Sequence, residues 1–255
     1  MNNNAYRTFG KLYLTVLVCI SFFSPFLFLS CGLDVYFILP APSSVNHTPV
    51  ISYSYDNAYF EFFTNENFEN TGGVSFKGTE VYYKIYSSSS VMTSEVETLQ
   101  SLASSDDTSS TAPTRLITSY GYKALRVQNS TESPLISFSG HSQLVYIRLS
   151  DYLDMDEYSA KILVDGENIY DSDTRMIPVR NISEQGTFNF GRSGTKDLVP
   201  KSTDDDVKYT SMSDGNKWYV AMFAVAVGMD YLYTPHYSNI LYLGAVTIDA
   251  DSENN

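Results

Sequence analysis

The sequence predicts an all-β protein whose core is an antiparallel β-sandwich with additional strands and one short helix. The chain of 255 residues contains 21 Tyr and 15 Phe, and aromatic side chains favour the pleated, half-buried surface of a sheet. From residue 58 onward, about ten short apolar runs follow one another, separated by Gly, Pro, Ser or Asp. Runs of this length and spacing favour a sandwich over alternating strands and helices.

Three stretches carry the clearest strand patterns. Residues 58–64 are dense in aromatic side chains, which is typical of a buried strand. In residues 81–86, VYYKIY, one face of the predicted strand carries Val81, Tyr83 and Ile85, and the other carries Tyr82, Lys84 and Tyr86. This period of two is typical of a strand. Residues 217–228, KWYVAMFAVAVG, are apolar on both faces and therefore predict a central strand.

Turn residues predict further strands between these stretches. Residues 116–127, 134–139 and 143–150 are predicted as strands because Gly, Pro or Ser bounds each of them. Asp165-Gly166 predicts a tight hairpin turn, since both residues tolerate positive φ. Pro178 predicts an edge strand, because proline cannot donate a ladder hydrogen bond.

Residues 87–114 are rich in Ser, Thr and Asp and predict a flexible insertion. Within the insertion, Ser94 and Glu97 have the spacing of a capping box. Val96, Leu99 and Leu102 recur at helical spacing. These two patterns predict the one short helix.

The first 30 residues have the organisation of an export signal. Arg7 and Lys11 form a basic segment without acidic residues, and residues 12–30 are strongly apolar. The run ends in Phe28-Leu29-Ser30-Cys31, which resembles the lipobox of bacterial lipoproteins in the looser form typical of spirochaetes.

The lipobox resemblance implies a signal peptide at 1–30, cleavage before Cys31 and acylation of that cysteine. Residues 31–48 would then form a lipidated N-terminus and tether. Gly32 is compatible with sorting to the outer membrane, and the face of that membrane is left open. An uncleaved membrane helix and an ordinary secreted leader remain alternatives, because about 18 apolar residues suffice to span a bilayer.

Composition excludes several classes of protein. The two cysteines are Cys19, inside the leader, and Cys31, so the sequence predicts no disulfide framework. The net charge is −13, and a strongly acidic chain repels nucleic acid. We therefore expect no nucleic-acid partner.

Two regions resemble a fibronectin type III or immunoglobulin-like sandwich. VYYKIY at 81–86 is similar to the third strand of that class, and residues 219–228 and 240–246 are similar to its last two strands. The resemblance implies that Tyr219 is a corner tyrosine whose hydroxyl bonds back to the preceding turn. The distance between the matching pieces exceeds one such module, so additional strands are expected.

Four aromatic residues form the candidate binding patch, namely Trp218, Tyr231, Tyr233 and Tyr237. Aromatic side chains supply much of the contact energy at interfaces, and loops at the end of a sandwich often carry binding. Core packing is the alternative role for all four.

Metal and catalytic motifs are sparse. His47, His141 and His236 are far apart in sequence, which argues against zinc. Calcium candidates are Asp204, Asp205 and Asp206, with two further acidic groups at 151–156 and 249–253; solvated surface is the alternative for all of them.

No Gly-x-Ser-x-Gly motif occurs in the sequence. Ser139-Gly140-His141 contains a serine and a histidine two residues apart, and both are interpreted as turn residues. No catalytic residue and no cofactor is predicted.

The sequence thus predicts an exported protein, lipid-anchored to the cell envelope, with a β-sandwich at 49–249 and a disordered tail at 250–255. Its expected role is non-catalytic binding or scaffolding, with the membrane as one partner through the lipid and a protein or a glycan as the other. One alternative is an envelope hydrolase, which would place two buried carboxylates in one cleft. The other is a purely structural envelope component, which would have neither a cleft nor an aromatic patch.

Overall fold

The computed structural model describes residues 38–51, 55–66, 73–105, 111–150, 158–182, 190, 200–215 and 217–249. The chain divides into Met1–Tyr36 and Phe37–Asn255, and the described residues belong to the second unit. The predicted leader, Cys31, the predicted tail 250–255 and the acidic group at 151–156 lie outside the described residues.

The strands of the described residues are, in chain order, β1 (Ser43–Ser44), β2 (Phe60–Phe63), β3 (Val74–Tyr86), β4 (Lys123–Ala124), β5 (Arg126–Val127), β6 (Ile136–Ser137), β7 (Leu144–Arg148), β8 (Lys161–Val164), β9 (Glu167–Asn168), β10 (Pro178–Val179), β11 (Val207–Lys208), β12 (Lys217–Asp230), β13 (Pro235–Tyr237) and β14 (Leu241–Asp249). Two α-helices lie between β3 and β4, namely α1 (Ser89–Ser105) and α2 (Thr111–Thr118).

The strands form two main sheets. The smaller sheet has the order β1-β2-β7-β8-β9, and all its pairs are antiparallel. The larger sheet has the order β11-β3-β12-β13, with β14 also on β12 and with β4 and β6 also on β3. Its one parallel pair is β11 with β3, while β5 and β10 form a separate two-stranded ribbon.

The long antiparallel pair of β3 and β12 is the centre of the larger sheet. Its register runs from Tyr219 opposite Tyr86 to Asp230 opposite Val74, with an irregularity between Val227 and Gly228. Strand β12 is buried from Trp218 to Gly228. The predicted central strand is therefore confirmed.

The two sheets pack face to face around one apolar core, which confirms the predicted sandwich. Burying each large apolar side chain stabilises the fold by about 1.5–3 kcal/mol. The larger sheet contributes Val81, Tyr83, Ile85, Val220, Met222 and Ala224, and the smaller sheet contributes Phe60, Phe62, Val145, Ile147 and Ile162.

Both helices cover the outer face of the larger sheet. A second core forms there from Met92, Val96, Leu99, Ala112 and Leu116 of the helices and Tyr82, Tyr86, Tyr219, Ala221 and Phe223 of the sheet. This third layer explains why β3 and β12 are apolar on both faces, since neither face meets water.

The structure corrects the prediction of one short helix in a flexible insertion. Helix α1 begins at Ser89 and has 17 residues, so Ser94 lies inside the helix and is not its cap. The backbone N–H of Ser89 donates to the Asp214 carboxylate at 2.8 Å, so the N-terminus of α1 is stabilised by a residue distant in sequence.

A second correction concerns residues 116–118, which were predicted as part of a strand. They belong to α2, because Leu116 packs in the core beneath the helices. Strand pairing resumes only at Lys123.

Several local predictions are confirmed. Asp165 and Gly166 have φ values of 53° and 87° and connect β8 to β9 as a hairpin turn. Pro178 lies in a two-residue strand whose one partner among the described strands is β5. The Tyr219 hydroxyl bonds to the carboxylate of Asp214 in the preceding turn, as expected, whereas the immunoglobulin or fibronectin likeness itself stays a prediction.

The domain also includes part of the predicted tether. Leu39 is 4% exposed and packs with Val74, Phe76 and Ala226. Strand β1 pairs with β2. The packed domain therefore includes residues at least ten positions before its predicted start at residue 49.

Candidate functional site

A cleft of about 440 Å³ lies between the β6 segment and the β8–β9 hairpin. Phe138, Ile169 and Tyr170 supply its apolar surface, and Gln143 and Asn168 supply amides. Ligand sites in proteins combine an apolar surface with a few polar groups in this way. We take this cleft as the candidate functional site.

Unusual backbone conformations shape one wall of the cleft. Asp165, Tyr170 and Asp171 have φ values of 53°, 68° and 48°. Positive φ is tolerated by Asp but costs a bulky residue such as Tyr on the order of 1–3 kcal/mol. Conformations of this cost persist where surrounding contacts enforce them, and they cluster at functional sites.

Tyr170 is held in place by its ring and by its hydroxyl. The ring is half-buried against the core between the sheets, and the hydroxyl donates to the Leu135 carbonyl at 3.4 Å. Burial raises the pKa of Tyr170 above its usual value. Tyr170 therefore provides the cleft with a fixed aromatic ring that ends in a polar hydroxyl group.

The turn after β6 brings Ser139 and His141 together at the rim of the cleft. Ser139 Oγ lies 3.2 Å from His141 Nδ1, and His141 Nε2 lies 3.4 Å from Asp165 Oδ2. Asp165 also accepts a 2.8 Å hydrogen bond from the Leu144 backbone. The predicted turn residues thus contact the hairpin that forms the opposite wall.

This arrangement resembles a catalytic triad in composition, but Glu66 occupies the groups that catalysis would need. Glu66 Oε2 accepts hydrogen bonds from the backbone N–H of Ser139 at 2.9 Å and of Gly140 at 2.6 Å. It also accepts one from Ser139 Oγ at 3.1 Å. A tetrahedral oxyanion requires free N–H donors, and here a carboxylate already holds the two that adjoin the serine. The geometry therefore supports fixing of the turn rather than acyl transfer.

The polar surface of the cleft is acidic and incompletely hydrogen-bonded. Asp165, Glu167 and Asp171 line it, and His141 is its one basic side chain among the lining residues described. Gln143 Oε1 is buried without a hydrogen-bond partner in the described residues. A buried acceptor of this kind costs about 1–3 kcal/mol. The cleft suits a neutral or cationic ligand that carries hydrogen-bond donors.

The four residues of the predicted aromatic patch do not form one surface. Trp218 is 9% exposed and belongs to the core between the sheets, so packing is its role. Tyr231 and Tyr233 lie beyond the other end of β12, about 40 Å away along the strand, and both are strongly exposed. Tyr237 is half-buried against the core beneath the helices.

The three aspartates proposed for calcium are paired with cationic side chains instead. The guanidinium of Arg180 contacts both Asp204 and Asp206, and Lys123 pairs with Asp205 at 3.2 Å. Burial acts to lower the pKa of Arg180, but the bonds to Asp206 and Asp204 outweigh it and raise that pKa. Across the ranges that the structure covers, no group of three His, Cys, Asp or Glu side chains could hold a metal ion.

The histidines and the buried carboxylates are dispersed. His47 stacks on Tyr59 with ring centroids 3.8 Å apart, and His236 pairs with Asp230 at 3.2 Å. Glu80 and Asp206 are each buried beside an arginine, Glu66 is buried against the Ser139 turn, and none of the three lines the cleft. The paired buried carboxylates expected of a hydrolase are thus not found in the part of the chain described.

Comparison with known proteins gives no matching family model, no matching curated protein and no matching solved structure. Among the helices of the described ranges, none is long and apolar enough to cross a membrane. The site must therefore be interpreted from its own geometry.

Sequence reasoning identified two parts of the cleft and missed the rest. The Asp165-Gly166 turn and the Ser139-Gly140-His141 segment were singled out, although their proximity was not foreseen. Tyr170 and Gln143 were missed because neither lies in a motif. Glu66 accepts a hydrogen bond from Ser139, which is 73 residues away in the sequence. No local pattern predicts that contact.

Proposed function

We propose that the chain is a lipid-anchored protein of the cell envelope whose sandwich domain binds a glycan in the cleft without catalysing a reaction. The observation that carries this proposal is the pairing of a fixed aromatic surface, Tyr170 with Phe138, with carboxylate and amide acceptors in one concave site. Sugar rings present apolar faces that pack on aromatic rings, and their hydroxyl groups donate to carboxylates and amides.

The charge of the cleft supports this class of ligand. Its acidic residues would repel a phosphorylated or carboxylated ligand, and they accept hydrogen bonds from neutral hydroxyl groups. A neutral or amino sugar fits these groups best.

Export and lipid anchoring rest on the leader. The lipobox resemblance at residues 28–31 implies acylation of Cys31, and Leu39 is already packed in the domain, so at most seven residues would separate the lipidated cysteine from it. Two or more acyl chains give stable membrane attachment, whereas one gives only marginal attachment.

Glycan binding is tested with the full chain on an array of bacterial envelope glycans, followed by calorimetry with the best ligand. Tyr170→Ala should weaken binding about tenfold, equivalent to about 1.4 kcal/mol. Tyr209→Ala is the matched control. Tyr209 is an exposed tyrosine that does not line the cleft, and its ring lies against Trp218 at the N-terminal end of β12. Glu167→Lys tests the same cleft from an exposed rim position, where loss of folding is not expected.

Anchoring is tested separately by detergent partitioning and intact mass in a lipoprotein-processing host, with wild type beside Cys31→Ala. Acylated wild type and an unprocessed variant would support the proposal. Identical behaviour of the two proteins would overturn the anchoring part. Equal glycan affinity of wild type, Tyr170→Ala and Glu167→Lys would overturn the binding part.

A further inference from the structure

Three consecutive apolar side chains project from the loop between β12 and β13. Tyr231, Leu232 and Tyr233 are 81%, 66% and 83% exposed. Single exposed apolar residues are common on soluble domains, but a contiguous group marks a contact surface. We call Tyr231, Leu232 and Tyr233 the hairpin tip.

The backbone of the hairpin tip is held rigid by Asp230. Asp230 Oδ1 accepts hydrogen bonds from the N–H of Leu232 at 2.8 Å and of Thr234 at 2.9 Å. The N–H of Tyr233 donates to the Asp230 carbonyl at 3.1 Å. Three donors of the loop are therefore satisfied internally, which lowers the cost of moving the tip out of water.

The start of the domain lies at the same end of the molecule as the hairpin tip. Leu39 packs with Val74 and Ala226, and a Cβ atom at Gly228 would lie 3.3 Å from Leu39. Gly228 is two residues before Asp230, and Val74 pairs directly with Asp230. Ile38, which precedes Leu39, is 57% exposed and adds a fourth apolar side chain at this end.

Chain length then limits where this end can lie. Seven residues lead from Cys31 to Ile38, and a fully extended chain of that length spans at most about 25 Å. An acylated Cys31 lies in the bilayer surface, so the end of the domain that carries the tip must stay close to that surface. The opposite end of β12 is about 40 Å further along the strand.

We propose that the hairpin tip inserts into the interfacial region of the bilayer that holds the Cys31 lipid and so orients the domain on the membrane. This inference rests on the anchoring part of the proposed function. Tyrosine rings favour the membrane interface, where the ring meets acyl chains and the hydroxyl meets water. The net charge of −13 offers no attraction to anionic lipids, so the contact should depend on apolar side chains and vary little with salt.

The test uses single cysteines introduced into the full chain. The chain after Cys31 contains no cysteine, so Leu232→Cys and Met212→Cys can each be labelled with the fluorophore nitrobenzoxadiazole without background. Met212 is the matched control, because it is 65% exposed against 66% for Leu232 and lies at the other end of β12. Its neighbour Asp214 bonds to Ser87, which follows β3.

Both labelled proteins are made in a lipoprotein-processing host and reconstituted into phosphatidylcholine vesicles that contain brominated lipid. We expect the label at 232 to shift to shorter wavelength and to lose most of its fluorescence to the bromines, and the label at 212 to do neither. Equal behaviour of the two labels, while the protein floats with the vesicles, would overturn the orientation and leave anchoring intact. Failure of the unlabelled wild type to float would overturn the anchoring and the orientation together.

Discussion

Two buried carboxylates of this domain meet arginines, and the two pairs differ in geometry. Asp206 is 1% exposed and bonds with Arg180 through both of its oxygens. Glu80 is 3% exposed, but Arg126 Nη1 lies 3.4–3.5 Å from its oxygens. The first pair is a close fork and the second a loose contact.

The neighbours of each pair increase the difference. The Tyr83 hydroxyl donates to Asp206 at 2.8 Å, and Arg180 also bonds Asp204 at 2.7 Å. The guanidinium and two carboxylates thus form one network through Nε and Nη2 of Arg180, whereas its Nη1 is buried without a hydrogen-bond partner among the described residues.

Glu80 instead accepts bonds from Ser133 Oγ at 3.0 Å and from the Leu135 N–H at 3.2 Å. Burial raises the pKa of Glu80, and the arginine only partly offsets it. The comparison teaches that an arginine beside a buried carboxylate does not by itself form a tight ion pair, because the geometry of the contact decides how closely the two charges are held.

The largest expected effect is that of removing the carboxylate from the close pair. Asp206→Ala should lower the free energy of unfolding by about 3–5 kcal/mol, because Arg180 would remain buried without its main partner. Urea unfolding followed by circular dichroism measures it. Asp205→Ala is the neighbouring control, since the exposed Asp205–Lys123 pair is worth at most about 1 kcal/mol. Equal losses in the two variants would contradict a stabilising role for the Arg180–Asp206 pair.

Local patterns predicted much of the sandwich but none of this network. The alternation in residues 81–86 and the two-faced apolar run of β12 follow from the positions of those side chains in strands. The run Asp204-Asp205-Asp206 predicts solvated surface or a calcium loop, because its partners are distant in sequence. Arg180 is 24 residues from Asp204, and Tyr83 is 123 residues from Asp206.

The corrected helices have the same cause. The cap of α1 comes from Asp214, 125 residues beyond Ser89. The helices are further stabilised by burying the apolar outer face of the larger sheet. Long-range partners can override local propensity in this way. The cleft was likewise only partly predictable, because Glu66 and Tyr170 reach it from separate segments.

The second-largest expected effect is a difference in unfolding free energy between lysine substitutions of the two arginines. Arg180→Lys loses the planar fork that reaches Asp204 and Asp206 together, and we expect a cost of about 2 kcal/mol, since each hydrogen bond to a charged group contributes about 1.5–3 kcal/mol. Arg126→Lys should cost less than about 1 kcal/mol, because its contact is long and its side chain is 28% exposed. Thermal and urea unfolding of both variants give the comparison, and a larger loss at Arg126 would reverse our assignment of the two pairs.

The smallest effect concerns the pH dependence of the loose pair. Because the folded-state pKa of Glu80 is raised above 4.5, its contribution to stability is fully present below pH 4.5 and is lost as pH rises through the folded-state pKa. Glu80→Gln removes this titration while its amide oxygen can still accept the Leu135 N–H bond. The difference in unfolding free energy, wild type minus variant, should therefore fall as pH rises from 4.5 towards neutrality. Urea unfolding of the two proteins at a series of pH values measures this difference directly, because the other titrating groups cancel. A difference that stays constant with pH would contradict the raised pKa, because it would mean that folding does not change the titration of Glu80 over this range.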